Sequence, residues 1–259
     1  MADQPRVARD DWDAHWDRFA QSATRNPAQR MRHDIIGRLV SENARPGAIR
    51  LFDLGSGQGD LVQKLHSIFP RAEFVGAELS ESGVAISQRK VPEATFVVAD
   101  IFEAPPVLKK FAGWATHAVC SEVLEHVDDP VAFLRHAREY LAPGAQLIVT
   151  VPGGPISAFD REIGHREHFN RSKIGSLLEQ AGYSVGHTYL AGFPFFNLYR
   201  LLVIMRGRRL ARDIETTTAG LPSVLLRFAM KVFRVLFHAN LLDSPFGWQV
   251  VATARKPLP

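Results

Sequence analysis

Leu51-Phe52-Asp53-Leu54-Gly55-Ser56-Gly57-Gln58-Gly59-Asp60 is the stretch that decides the fold. An apolar run, Ile49 to Leu54, breaks into three alternating glycines. It then passes into Leu61-Val62-Gln63-Lys64-Leu65, whose apolar positions recur at helical spacing. Strand, glycine turn, helix is the order of a nucleotide-binding turn. Glycine reaches positive φ and puts no Cβ between backbone and ligand. The helix beyond it offers N–H groups and a positive dipole end to an anion such as a carboxylate. The dinucleotide fingerprint asks for glycine at relative positions one, three and six, which from Gly55 means position 60, and Asp60 stands there.

Outward from this turn, extended and helical patterns alternate. Ala72 to Leu79, Thr95 to Asp100, Thr116 to Ser121 and Ala145 to Val151 read as further strands. Gly59 to Phe69, Glu81 to Lys90 and Pro130 to Leu141 read as helices, the last opened by Pro130 and closed by Pro143-Gly144. Such alternation predicts an α/β fold with a parallel sheet covered on both faces and ligands beyond the carboxyl ends of its strands. Tyr183 to Leu190 and Trp248 to Ala254 read as two more strands. Between them lie Phe193-Pro194-Phe195-Phe196, a basic run Arg206-Gly207-Arg208-Arg209 and a helical stretch from Val224 to Phe237. Before Ile49, Trp12, Trp16 and Phe19 fall on one helical face.

The 259 residues suit one elaborated domain, and 46% apolar residues supply an ample core. A single cysteine, Cys120, excludes an internal disulfide and a cysteine zinc cluster, and fits a reducing, cytoplasmic location. No signal peptide or spanning helix is expected. The net charge of +4 is unevenly spread: from Arg200 onward ten Lys/Arg face three acids, leaving 21 against 24 before it. Arg227, Lys231 and Arg234 fall on one face of the 224–237 stretch. They point to a solvated cap or to peripheral contact with an inner membrane surface, and no nucleic-acid module accompanies them.

Asp53-x-Gly55-x-Gly57-x-Gly59, Glu78 at the second strand end, Asp100 at the third and Cys120-Ser121-Glu122-Val123-Leu124-Glu125-His126-Val127 after the fourth follow one another in order. Together, from about Leu51 to Tyr183, they resemble the small-molecule group of class I S-adenosylmethionine-dependent methyltransferases. The chain departs where that family often has Asp, since Thr116 and His117 stand there. The resemblance implies a Rossmann-like, doubly wound, seven-stranded sheet with an antiparallel last strand. It implies the organisation 1–48 as an N-terminal helical cover, 49–190 and 246–259 as the core, and 191–245 as an inserted helical cap.

The cofactor so implied is S-adenosylmethionine, released as S-adenosylhomocysteine. A carboxylate at Glu78 accepts from both ribose hydroxyls, and Leu79 packs on the adenine. The resemblance assigns Asp100 to the exocyclic amine and the backbone of Ile101 to a ring nitrogen. It sets the glycines 55, 57 and 59 around the methionine end, with Asp53 either ordering the loop or accepting from the ammonium. By the same analogy Ser121 and Glu122 face the methyl donor. His126 is equally a packing residue. Gly164-His165-Arg166-Glu167-His168-Phe169, after the fifth strand, supplies two histidines. A hydroxyl acceptor needs a base, for which His165 comes first and His168 second, against a reading in which both hold a lid. No metal site is expected of them and the nearby Asp160 and Glu162. The expected activity is methyl transfer to oxygen, less readily nitrogen, of a small or lipid-linked acceptor. A non-catalytic cofactor-binding protein is the alternative, and Asp60 disfavours a nicotinamide oxidoreductase.

Overall fold

A computed structural model describes residues 12, 13, 16, 26–43, 49–103, 105–206 and 221–259, without the side chains of 206 and 221–227. Seven strands form one sheet: β1 (Arg50–Leu54), β2 (Glu73–Glu78), β3 (Thr95–Val98), β4 (Ala115–Ser121), β5 (Leu141–Pro152), β6 (Ser184–Ala191) and β7 (Gln249–Arg255). Their spatial order is β3-β2-β1-β4-β5-β7-β6. β7 runs antiparallel to both neighbours, and β1 to β5 run parallel. This is the sheet the resemblance implied.

The central strands read as unbroken apolar runs because helices cover both faces, and their side chains alternate between two cores. Phe52, Ala118, Cys120, Leu147 and Val149 share one core with α5 (Pro130–Ala137) and α7 (Arg171–Gln180), which bury Leu134 and Leu178. Leu51, Val119 and Ile148 share the other with α1 (Pro27–Asn43) and α2 (Asp60–Ile68), through Ile36, Leu39 and Leu65. α3 (Glu81–Lys90) links β2 to β3, and a short α4 (Pro106–Lys109) precedes β4.

The helix expected over Pro130 to Leu141 stops at Ala137, and a 3-10 turn, Arg138–Tyr140, leads into β5. Pro143 and Gly144 therefore lie inside the strand instead of ending a helix. The reason is local: the β4 ladder skips from Leu141 to Gln146, so the missing N–H of Pro143 interrupts nothing. Gly144, at φ 75°, donates to the Lys256 carbonyl at 2.9 Å.

Between β6 and β7 stand α8 (Phe195–Arg206) and α9 (Leu221–Leu236), followed by a 3-10 turn, Phe237–Ala239. Phe196, Phe233 and Phe237 pack with Ala28 and Met31 of α1, so the insertion and the N-terminal helix form one layer. α6 (Ala158–Glu162), after β5, is held by a capping box in which Ser157 and Asp160 satisfy each other's backbone N–H. Phe19, the basic residues 208, 209 and 212 and the side chain of Arg227 lie outside the described residues. Among the described residues no helix is long and apolar enough to cross a membrane.

Candidate active site

The glycine turn closes under the end of β2. Gly55 and Ser56 donate to the Ala77 carbonyl at 2.9 and 3.0 Å, and Gly57 donates to Glu78 Oε2 at 2.7 Å. Leu79 and Ser80 donate to Glu78 Oε1 at 3.0 and 3.1 Å. Burial raises the Glu78 carboxyl above its ordinary value, and these N–H groups with the Trp16 side chain pull part of the way back. Asp53, buried on β1, is pushed up to about 7, first by burial and then by the charge of Glu78.

Two glycines are required by what faces them. A Cβ on Gly55, at φ 77°, would stand 2.5 Å from Val123 Cγ2. One on Gly57, at φ 54°, would stand 2.5 Å from the Trp16 ring. Asp13 accepts from Ser82 N–H at 3.0 Å and from the Ser80 hydroxyl, tying the same N-terminal segment to the start of α3.

β3 ends beside β2, where Ala99 donates to the Glu78 carbonyl at 2.8 Å, so Asp100 and Glu78 stand at adjacent strand ends. Asp100 Oδ1 accepts from Phe102 N–H at 2.9 Å, and Ile101 is buried at the head of a 3-10 turn, Ile101–Glu103. Leu79, between these acids, is 43% exposed. An open apolar side chain flanked by two carboxylates fits a purine nucleoside, and the charge of Asp53 and Glu78 fits a ligand bearing a cation. The residues present therefore suit S-adenosylmethionine.

Ser121 ends β4 and Glu122 follows it. Ser121 Oγ lies 2.8 Å from Thr150 Oγ1. Glu122 has φ 57°, alone among described residues other than glycine in the left-handed region. It is held there from three elements: its N–H donates to the Thr150 carbonyl at 2.8 Å, its Oε1 accepts from Gln249 Nε2 at 3.0 Å, and Arg32 Nη1 lies 3.6 Å from its Oε2. Arg32 and Gln249 are not among the residues the sequence motifs single out. Gln249 gives a usable signal as an amide inside an apolar strand, whereas Arg32 gives none.

The two candidate histidines meet. His165 Nδ1 lies 3.2 Å from His168 Nε2, and His168 Nδ1 lies 3.1 Å from the Gly154 carbonyl. Burial, then the neighbouring His126, drives His165 down to about 3, and burial lowers His168 as well. The His126 and His165 rings meet edge to face at 4.8 Å, and Trp12 packs on His126 at 4.9 Å. Asp160 sits behind, with Arg200 of α8 donating to its two oxygens at 3.1 and 2.8 Å. Burial raises the Asp160 carboxyl, and the Arg200 contacts outweigh that to hold it at about 2. Arg200, too, was not found from sequence. A cavity of about 650 Å³ near α1, α2 and Phe237 includes none of Asp53, Glu78, Glu122 and His165.

Residues 25–188 match the methyltransferase domain family. The trans-aconitate 2-methyltransferase of Acidovorax ebreus (strain TPSY) is 28% identical over 143 residues, 55% of this chain and 50% of that protein. The malonyl-(acyl-carrier protein) O-methyltransferase of Bacillus cytotoxicus is 32% identical over 78 residues, 29% of this chain and 27% of that protein. The chain spans at most about half the length of these curated relatives. Among solved structures, a putative sarcosine dimethylglycine methyltransferase from Galdieria sulphuraria superposes with a TM-score of 0.60 at 12% identity. That match covers 89% of this chain and 87% of the other. With the sheet order, the glycine turn and the paired strand-end acids, these matches establish that the chain belongs to the methyltransferase domain family, whose cofactor is S-adenosylmethionine.

Proposed function

We propose that this protein transfers a methyl group from S-adenosylmethionine to an oxygen of a small or lipid-linked metabolite. The carrying observation is the His165–His168 pair, set with Glu122 in the loops after β4 and β5, on the side of the sheet ends that continues from the glycine turn. When bound, the cofactor supplies an electrophilic methyl on a sulfonium. A hydroxyl acceptor gives up its proton as the O–CH3 bond forms and the S–CH3 bond breaks, and the remaining lone pair of a neutral His165, oriented by His168, supports a base for that proton. The names of the two curated relatives support small-acid and oxygen acceptors.

The insertion supports the lipid-linked option. Leu201 and Met205 of α8 and Phe228 and Val235 of α9 are exposed, beside the exposed Lys231 and Arg234. An apolar face rimmed by cations suits an anionic membrane.

A panel of hydroxy and carboxylic acids supplied with methyl-labelled cofactor tests the reading. The expected product carries label on oxygen, released by base if an ester and retained if an ether. Label found only on nitrogen or carbon, or no transfer by protein that binds S-adenosylhomocysteine, overturns it. His165→Ala is expected to lower kcat by about 100-fold or more, with cofactor affinity retained.

A further inference from the structure

The loops after β4 and β5 bring together side chains that the methyl donor does not use. Glu125 is fully buried in the 3-10 turn Leu124–His126, and among the described residues no other residue donates a hydrogen bond to its carboxylate. Leaving a buried acceptor unmet costs about 1–3 kcal/mol and more for a charge, so this carboxylate calls for a cation. One donor atom from each of Glu125, His126 and His165 lies within 4.8 Å of the others. Ligands at about 2.0–2.2 Å from a first-row cation stand roughly 3–4 Å apart, and small side-chain rotations close that gap.

The tautomer of His165 is set from behind. His168 donates through Nδ1 to the Gly154 carbonyl, so its Nε2 accepts from His165 Nδ1–H, and His165 keeps a lone pair on Nε2. An imidazole fixed through its second nitrogen is the usual state of a metal-binding histidine. Asp160 also groups with His165 and His168 within 4.8 Å, yet its oxygens already accept from Arg200 and from Ser157 N–H. Arg32, the opposing charge on this side, is held by Glu122.

We propose that Glu125, His126 and His165 bind one divalent first-row transition cation, with His168 orienting His165 and Asp160 outside the coordination sphere. Two imidazoles and one carboxylate suit manganese, iron, cobalt or zinc better than magnesium. This reverses the expectation of no metal, because the sequence does not show that His126 and His165 converge. Binding stands on this geometry alone. With the ion bound, His165 Nε2 would hold the metal and take no proton, and the ion would act in its place by polarising the acceptor oxygen beside it, a use that rests on the oxygen-methylation reading.

The test is titration of the full chain, stripped by chelator, with Co²⁺, followed by visible absorption and by metal analysis. One Co²⁺ per chain is expected, bound at least about tenfold more weakly by Glu125→Gln and His165→Ala, and unchanged in His238→Ala. Circular dichroism and S-adenosylhomocysteine affinity check that each variant is folded. Should Glu125→Gln not fold, Co²⁺ is expected to raise the Tm of the wild type and not of His165→Ala. Absence of stoichiometric Co²⁺, or binding indifferent to both substitutions, overturns the site, and oxygen methylation by the metal-free protein would then leave the functional reading intact. Co²⁺ bound as expected, with label only on nitrogen or carbon, keeps the site and removes the functional reading.

Discussion

Asp53 sets a buried carboxyl against the stability of the fold. Its carboxyl titrates near 7 in the folded chain because burial and Glu78 disfavour its charge, whereas in the unfolded chain it ionises near 3.8. The unfolded state therefore releases this proton first. The Asp53 contribution to stability falls as pH rises from about 4 to 7, and the penalty is complete above 7. Asp53→Asn is expected to raise the Tm of the cofactor-free protein at pH 8 and to leave it little changed at pH 4. Each kcal/mol recovered is worth about 2–4 °C in a domain of this size. The same substitution is expected to weaken binding of S-adenosylhomocysteine, measured by calorimetry, if Asp53 accepts from the ligand's ammonium. Unchanged affinity would leave Asp53 with loop ordering alone.

At the scale of elements, the Asp160–Arg200 pair couples the short helix α6 to α8 of the insertion. The pair is largely withdrawn from water, and Asp160 also completes its own capping box and lies 3.8 Å from His168 Nε2. Arg200→Met strands a buried carboxylate and is expected to cost about 3–5 kcal/mol in denaturant unfolding. Asp160→Asn added to it should recover a large part, and additive losses would show that the two do not act as a pair. The folded Asp160 carboxyl lies below its ordinary value, so its contribution is present above about pH 4 and is lost as pH falls through 2.

What could be read from the chain follows the range of each interaction. The glycine turn, the strands and the place of Glu78 at a strand end were legible because strand burial and turn chemistry are local. Pro143-Gly144 misled because a ladder irregularity opposite Ala115 and His117 overrode a local helix-stop signal. Arg32, Arg200 and Gln249 reach the site from elements far off in sequence, and only the folded loops show that Glu125 is buried with no donor from another described residue.

For the whole molecule, one layer made of α1, α8 and α9 carries both the contact of Arg32 with Glu122 and the exposed apolar face. If that face meets a membrane, sedimentation with anionic vesicles should retain the protein at low salt and lose it as salt rises. Lys231→Glu combined with Arg234→Glu should abolish retention without altering cofactor affinity. Equal retention on neutral vesicles would instead mean an apolar contact alone.

The place of β7 between β5 and β6 has a consequence in time. A chain made from its N-terminus completes β1 to β5, with the glycine turn and both strand-end acids, while the outer edge of β5 waits for residues 153–248 to be synthesised. Gln249 reaches Glu122 only when β7 slots in, after α8 and α9 have been made. The glycine turn and the two strand-end acids can therefore take shape on the ribosome before β7 brings Gln249 to Glu122, and the waiting strand edge is what a chaperone would have to shield in the interval.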